Sequence, residues 1–200
     1  MPRTGRRPGD SGARTAILDA ARLSFAQEGY EGATIRSIAG TARVDPALVH
    51  HYFGNKDDLF AAAMEFPFNP AEALVPLLEQ GPDGLGERIL RLFLSMWDQR
   101  APASPFVAMI RSASSNDQAA TMLREFITRE VIGRIAHALA TDHPELRATL
   151  VGSQMVGLGF ARYVVRIEPL ASANTDTVVI CIAPTIQRYL TGDLDLPCNA

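Results

Sequence analysis

The chain has 200 residues, 47% of them hydrophobic, with 22 acidic and 19 basic side chains giving a formal net charge of −3, enough apolar content to bury a core in one or two compact domains. No run approaches the roughly 18 uninterrupted apolar residues of a membrane-spanning helix, and the arginine-bearing N-terminus lacks the apolar run of a signal peptide, so a cytoplasmic protein is expected. The two cysteines, Cys181 and Cys198, have no partner at metal-ligand spacing, which argues against a zinc site or disulfide framework.

Residues 1–12 combine Gly, Pro and Arg with almost no large apolar side chain, the composition of a mobile basic arm. From Ala13 the pattern changes. Ile17, Leu18, Ala21 and Phe25 fall at helical spacing, and Gly29 supplies a natural stop. Thr34 is a good N-cap for a short second helix whose apolar stripe is Ile35, Ile38, Ala39 and Ala42. Asp45 then caps a third helix, and Pro46 sits in the first turn, where its missing donor costs nothing. Only Ala42, Arg43 and Val44 separate helices two and three, the tight connection of a helix-turn-helix. A fourth helix starts near Lys56 and turns Leu59, Phe60 and Ala63 inward. Pro67 and Pro70 mark a seam. Beyond it each long segment reads helical: 71–80, 85–99, 105–113, 119–140, 144–168 and 175–190. The β-branched run VVICIA leaves a buried strand open, but no partner run of similar character exists, and helix is the stronger reading. The expected architecture is all-α: an arm (1–12), a three-helix head with a helix-turn-helix (13–60) and a larger helical body (61–200).

Charge follows the same division. Residues 1–56 carry eight basic and five acidic side chains, a net +3, so the remainder carries −6. A head that approaches phosphate on an acidic body has this asymmetry, although random scatter also produces it.

In the head, the start of helix two offers unsatisfied backbone donors and partial positive charge, so Thr34 and Arg36 are candidate phosphate contacts. Helix three packs through Leu48, Val49, Tyr52 and Phe53, leaving Asp45, Pro46, Ala47, His50 and His51 to face a major groove. Asp45 is better explained as a cap than as a cytosine reader. Pro46 and Ala47 offer only apolar contact, for instance to a thymine methyl, whereas His50 can hydrogen-bond a base edge or a phosphate. The adjacent His50 and His51 diverge by about 100° with no third ligand nearby, so no metal is expected. Gly152-Ser153-Gln154 fails the nucleophile-elbow pattern. The chain offers no phosphate loop, dinucleotide fingerprint or zinc-peptidase helix, so neither an enzyme nor a cofactor is expected.

The run AILDAARLSFAQEGYEGATIRSIAGTARVDPALVHHYFGNKDDLF closely resembles the DNA-binding head of the TetR (tetracycline-repressor-like) family, in the order Gly29-Tyr30, Thr34, Ile38-Ala39, His51-Tyr52-Phe53, Lys56, Leu59. The resemblance implies phosphate contacts at His51, Tyr52 and Lys56, the chain's only lysine. The sequence departs from the family pattern in the recognition region, where Arg43 replaces a usual glycine and Asp45-Pro46-Ala47 a Ser-Lys-Gly-like run, so the operator does not carry over. The basic arm, with Arg3, Arg6 and Arg7, either enters a minor groove or serves as a solubilising tail.

The resemblance further implies a small-molecule pocket in the body, with Phe93, Trp97, Phe106, Ile110, Arg111, Phe126, Gln154 and Leu158 as candidates, although most such positions are plain core. It also implies a homodimer built from the last two long helices, with Gly152, Met155, Gly159, Tyr163, Ile182, Ile186 and Tyr189 at the interface. Packing within one chain explains the glycines equally well. The expected function is a repressor released from a palindromic double-stranded DNA operator by a small-molecule effector, with no membrane partner. A non-specific DNA-binding protein and a small helical enzyme are the alternatives.

Overall fold

The computed structural model describes residues 9–98, 105–112, 117–139 and 141–195. Among these residues every regular element is helical, including the VVICIA run. They group into two compact units. One holds the described residues up to Asn69 together with those of Ala103–Glu125, and the other holds those of Pro70–Pro102 and Phe126–Ala200.

In the first unit, α1 (Gly9–Gly32), α2 (Ile35–Ala42), α3 (Pro46–Phe53) and α4 (Lys56–Ala63) are followed by α7 (Pro105–Ser112) and most of α8 (Asp117–Phe126). Helix α1 starts at Gly9, so residues 9–12, expected in the arm, are helical; residues 1–8, with Arg3, Arg6 and Arg7, lie outside the described residues. Gly29 breaks α1 with φ 76°, a conformation glycine adopts without steric cost. A Cβ there would lie 2.9 Å from the Glu125 carboxylate. The core is built as the helical spacing demands. Ile17, Ala21 and Phe25 of α1, Ile38 and Ala39 of α2, Val49 of α3 and Leu59 and Phe60 of α4 are all essentially inaccessible. Phe60 meets Phe25 and Tyr30 edge-on, at ring separations of 5.0 and 5.1 Å, geometry that the ring quadrupole favours. The unit outruns the expected boundary at residue 60 because Met64 and Phe66 are also buried, Phe66 beside Phe60. Arg22 ties α1 to the end of α4 by donating to the Ala63 carbonyl and to Glu65.

The second unit contains α5 (Pro70–Glu79), α6 (Leu85–Asp98), a π-helical stretch (Ile127–Ile132) that runs into α9 (Gly133–Ala138), α10 (Pro144–Gly159) with its π-helical extension (Phe160–Val165), and α11 (Thr175–Thr191). Its core joins Leu90 and Leu94 of α6, Val151 and Leu158 of α10, and Val179, Ile186 and Leu190 of α11. Gly86 lets α6 approach α11 closely: a Cβ would fall 2.6 Å from the Gln187 nitrogen, and the Gly86 N–H donates to Gln187 Oε1. Arg147 of α10 is 3% exposed yet fully engaged, donating to Asp142 at 2.6 Å and to the Tyr189 and Gly192 carbonyls that end α11. The guanidinium hydrogen bond holds the Asp142 carboxyl below its ordinary value of 3.8. A carboxylate with a depressed folded-state pKa stabilises the fold at neutral pH, and that contribution fades as pH falls through the folded pKa. Thermal melts should therefore show Asp142→Asn less stable than the parent at neutral pH, with the gap closing below pH 3.8.

Candidate nucleic-acid interface

Each short helix of the first unit is set by a cap that the sequence writes locally. At α2 the Thr34 hydroxyl accepts from the Ser37 N–H at 3.0 Å, and the Thr34 N–H donates back to Ser37 Oγ at 3.3 Å. This reciprocal capping box satisfies two orphan donors. It also spends the Thr34 amide, expected as a phosphate donor; the hydroxyl proton of exposed Thr34 is the group it leaves for one. At α3 the Asp45 carboxylate accepts from the Ala47 N–H at 2.7 Å, with Pro46 in the first turn. Asp45 thus acts as the cap. At α4 the Asn55 side chain accepts from the Asp58 N–H at 2.8 Å.

These caps leave Asp45, Pro46, Ala47, His50 and His51 exposed along α3, and Thr34 and Arg36 exposed at the start of α2, while Val49 and Phe53 are buried. Tyr52 and Lys56 are half-buried. His50 Nδ1 lies 2.7 Å from the Gly54 carbonyl. A carbonyl only accepts, so Nδ1 carries a proton, and Nε2 is the ring nitrogen left for another partner. Lys56 is positioned rather than merely exposed: its Nζ sits 4.7 Å from the Tyr30 ring centre and donates to the Glu31 carbonyl. Tyr30 in turn donates to Asp57, and the Glu31 N–H donates to Glu125. Two exposed cations escaped the sequence reading of this surface. Arg14 lies over the Phe53 ring, and Arg43 ends α2 in a left-handed conformation. The loss of the usual glycine at residue 43 was the available signal.

In the second unit the ligand candidates are mostly packed. Trp97 is buried and stacked on Tyr163 with a ring separation of 5.0 Å, and Phe126 and Leu158 are buried. Phe93 and Gln154 are half-buried. Ile110 and Arg111, on α7, belong to the first unit, and the Phe106 side chain lies outside the described residues. Burial and the neighbouring Asp98 carboxylate push the Tyr163 phenol up to about 12, so it stays neutral and donates to Asp98 at 2.8 Å.

The seven expected dimer residues all pack within the protomer, where Tyr163, Ile182 and Tyr189 stay half-buried. Met155 and Ile186 lie inside its core, and Tyr163, Ile182 and Tyr189 pack against that core. Gly152 faces Ile132 and Ile127, and a Cβ on Gly159 would meet Phe93 and Trp97 at 2.9 Å. Gly157, between these two glycines, is exposed, and a Cβ there would meet nothing within 4 Å. The same helices also carry exposed apolar groups: Val156 on α10, Phe160 in its extension, and Ile180, 72% exposed, on α11. Ile180 and Pro184 also line a groove of about 340 Å³ with Gly84, Glu87, Val179, Ala183 and Gln187.

Among the described residues, no group of three or more His, Cys, Asp or Glu could hold a metal ion, and no helix is long and apolar enough to cross a membrane.

Residues 17–63 match the model for bacterial regulatory proteins of the tetR family, and residues 83–190 match that for the tetracyclin repressor-like C-terminal domain. The chain is 31% identical over 100 residues to the HTH-type transcriptional repressor NicS of Pseudomonas putida, covering 48% of this chain and 46% of that one. It is 44% identical over 64 residues to the HTH-type transcriptional regulator BetI of Brucella anthropi, 31% of that protein's length. The chain therefore spans less than half the length of these curated relatives. A solved TetR-family regulator from Streptomyces coelicolor A3 is 39% identical, with 94% of this chain and 99% of that chain covered at a TM-score of 0.51.

Proposed function

The chain belongs to the tetR family of bacterial transcriptional regulators, and from that membership we propose that it is a homodimeric repressor that binds a palindromic operator and is released by a small-molecule effector. The observation that supports this reading best is the exposed row on α3, flanked by Thr34 and Arg36 on one side and an anchored Lys56 on the other. A helix of this size enters the major groove, with neighbouring cations on the phosphates.

Roles follow from chemistry. Thr34, Arg36, His51, Tyr52 and Lys56 hold phosphate; Pro46, Ala47 and the Nε2 of His50 face base edges; Asp45 keeps α3 in place. One short helix reads few base pairs, so two copies pair to present two heads about one DNA turn apart. They pair through the outer faces of α10 and α11, where Val156, Phe160 and Ile180 are exposed. The effector enters the body near Phe93, Trp97, Phe126, Gln154 and Leu158. It must bind the released state more tightly than the DNA-competent one, and DNA must weaken it by the same factor.

Equilibrium binding to the DNA upstream of its own gene, against scrambled DNA across a salt series, tests the reading. Lys56→Ala should weaken both DNAs by the same factor and lower the salt slope by about 1, as loss of one phosphate contact does. His50→Ala should instead narrow the preference between them, by up to about tenfold for one base-edge hydrogen bond. Equal, salt-insensitive affinity for every duplex offered would overturn the assignment.

A further inference from the structure

We propose that Arg43, at the turn between α2 and α3, is a DNA phosphate contact that anchors the far end of α2. This rests on the DNA-binding reading above and adds a residue to it. Arg43 ends α2 with φ 56° and ψ 43°, its N–H donating to the Gly40 carbonyl and the next N–H, of Val44, to the Ala39 carbonyl. That paired ending places its closing residue in the left-handed region, where glycine fits and a side chain is strained.

The strained residue is an exposed cation. Arg22 is bound by Asp19, Glu65 and the Ala63 carbonyl, Arg14 lies on the Phe53 ring, and Lys56 on the Tyr30 ring. Arg43 and Arg36 are exposed, and among the described residues neither side chain makes a hydrogen bond or ion pair. Arg43 follows Arg36 by seven residues, nearly two turns, which puts their Cα atoms on the same side of α2 about 10 Å apart. The first helix of a helix-turn-helix crosses the DNA backbone. With Thr34 and Arg36 at one end and Arg43 at the other, α2 reaches phosphate at both ends while α3 lies in the groove. A guanidinium fits this role, because its fork of donors matches phosphate oxygens.

Arg43→Gly separates this role from a structural one, because it removes the cation and relieves the backbone together. Arg166 provides a matched control: it ends the π-helical extension of α10 with φ 58°, is exposed, and lies in the other unit. The probes are a duplex enriched by the parent protein from a random pool and a scrambled duplex, titrated across a salt series, with a thermal melt of every variant. Arg43→Gly should raise the melting midpoint by about 2–4 °C. It should weaken both duplexes by a common factor of roughly 5–10 at low salt and lower the salt slope by about 0.9, whereas Arg43→Lys should keep the slope. Arg166→Gly should raise the midpoint similarly and leave DNA binding unchanged.

Unchanged affinity and slope in Arg43→Gly would overturn the proposal. A loss confined to the enriched duplex would make Arg43 a base reader instead, and an equal loss in Arg166→Gly would reduce the effect to net charge. Failure of the DNA-binding reading itself would appear separately, as a parent protein that enriches no duplex, and would remove the role with it.

Discussion

Phe60→Ala is expected to abolish DNA binding while leaving the second unit folded. Phe60 is wholly buried and edge-on to both Phe25 and Tyr30. Removing it takes away the buried area and leaves a cavity that the surrounding helices fill poorly, at a cost of about 3–5 kcal/mol. Whole domains have net stabilities of only about 5–15 kcal/mol, so the head would lose most of its margin. The damage also reaches function through a named route: Tyr30 loses a neighbour, and Tyr30 is the ring under Lys56 and the donor to Asp57. Circular dichroism should show partial loss of helix at a temperature where the parent is intact, with DNA binding lost. Phe60→Leu, which keeps much of the volume, should retain both. Undiminished DNA binding in Phe60→Ala would mean that this core does not position the interface.

Ile180→Asp carries the second large effect, on association rather than folding. Ile180 is 72% exposed and serves no core in its own protomer, so a charge there costs the isolated chain little. If the outer faces of α10 and α11 pair two copies, the same change buries two carboxylates against apolar surface beside the two-fold axis, which association cannot absorb. Sedimentation should show a monomer with an unchanged melting profile. Operator affinity should fall by roughly 10²-fold or more, since one half-site supplies only part of the specific binding energy. Ile186→Asp, by contrast, should unfold the second unit, because Ile186 is buried in its core. A dimeric Ile180→Asp variant would place the pairing surface elsewhere.

The contrast between Ile180 and Ile186 also marks where sequence reasoning ran out. Local signals carried the head. Thr34 and Asp45-Pro46 each close their own helix start through a side chain two or three residues from its partner, short-range chemistry that is visible in sequence, and Asn55 does the same for α4 although the sequence reading did not name it. Most of the buried set followed from helical spacing, with Ile17, Ala21, Phe25, Ile38, Ala39, Val49, Leu59 and Phe60 inside as expected, whereas Leu18, Ile35, Ala42, Leu48 and Tyr52 are only half-buried. The last two long helices gave no such guidance. Helix α10 with its extension is apolar on both sides, Met155 and Gly159 inward and Val156 and Phe160 outward, and α11 repeats this with Ile186 and Ile180. Periodicity then locates the helix but not its phase, and the glycines divide as well: Gly159 faces Phe93 and Trp97 of the same chain, whereas Gly157 faces open space. The head's expected end at residue 60 fell short of the unit, whose Met64 and Phe66 are buried and which runs to Asn69, at the seam that Pro67 and Pro70 mark. The strain at Arg43 was legible only as a missing glycine, and its φ of 56° gives that absence a physical meaning.

Selection of bound duplexes from a random DNA pool tests the central claim most directly, because it assumes neither the operator nor its place. Two paired heads predict an enriched palindrome, with half-sites about 10 base pairs apart, or a multiple of that, from centre to centre, and Lys56→Ala should recover the same palindrome with weaker retention. Retention of DNA without any enriched sequence, or enrichment of a single unpaired half-site by a chain that sediments as a monomer, would contradict it.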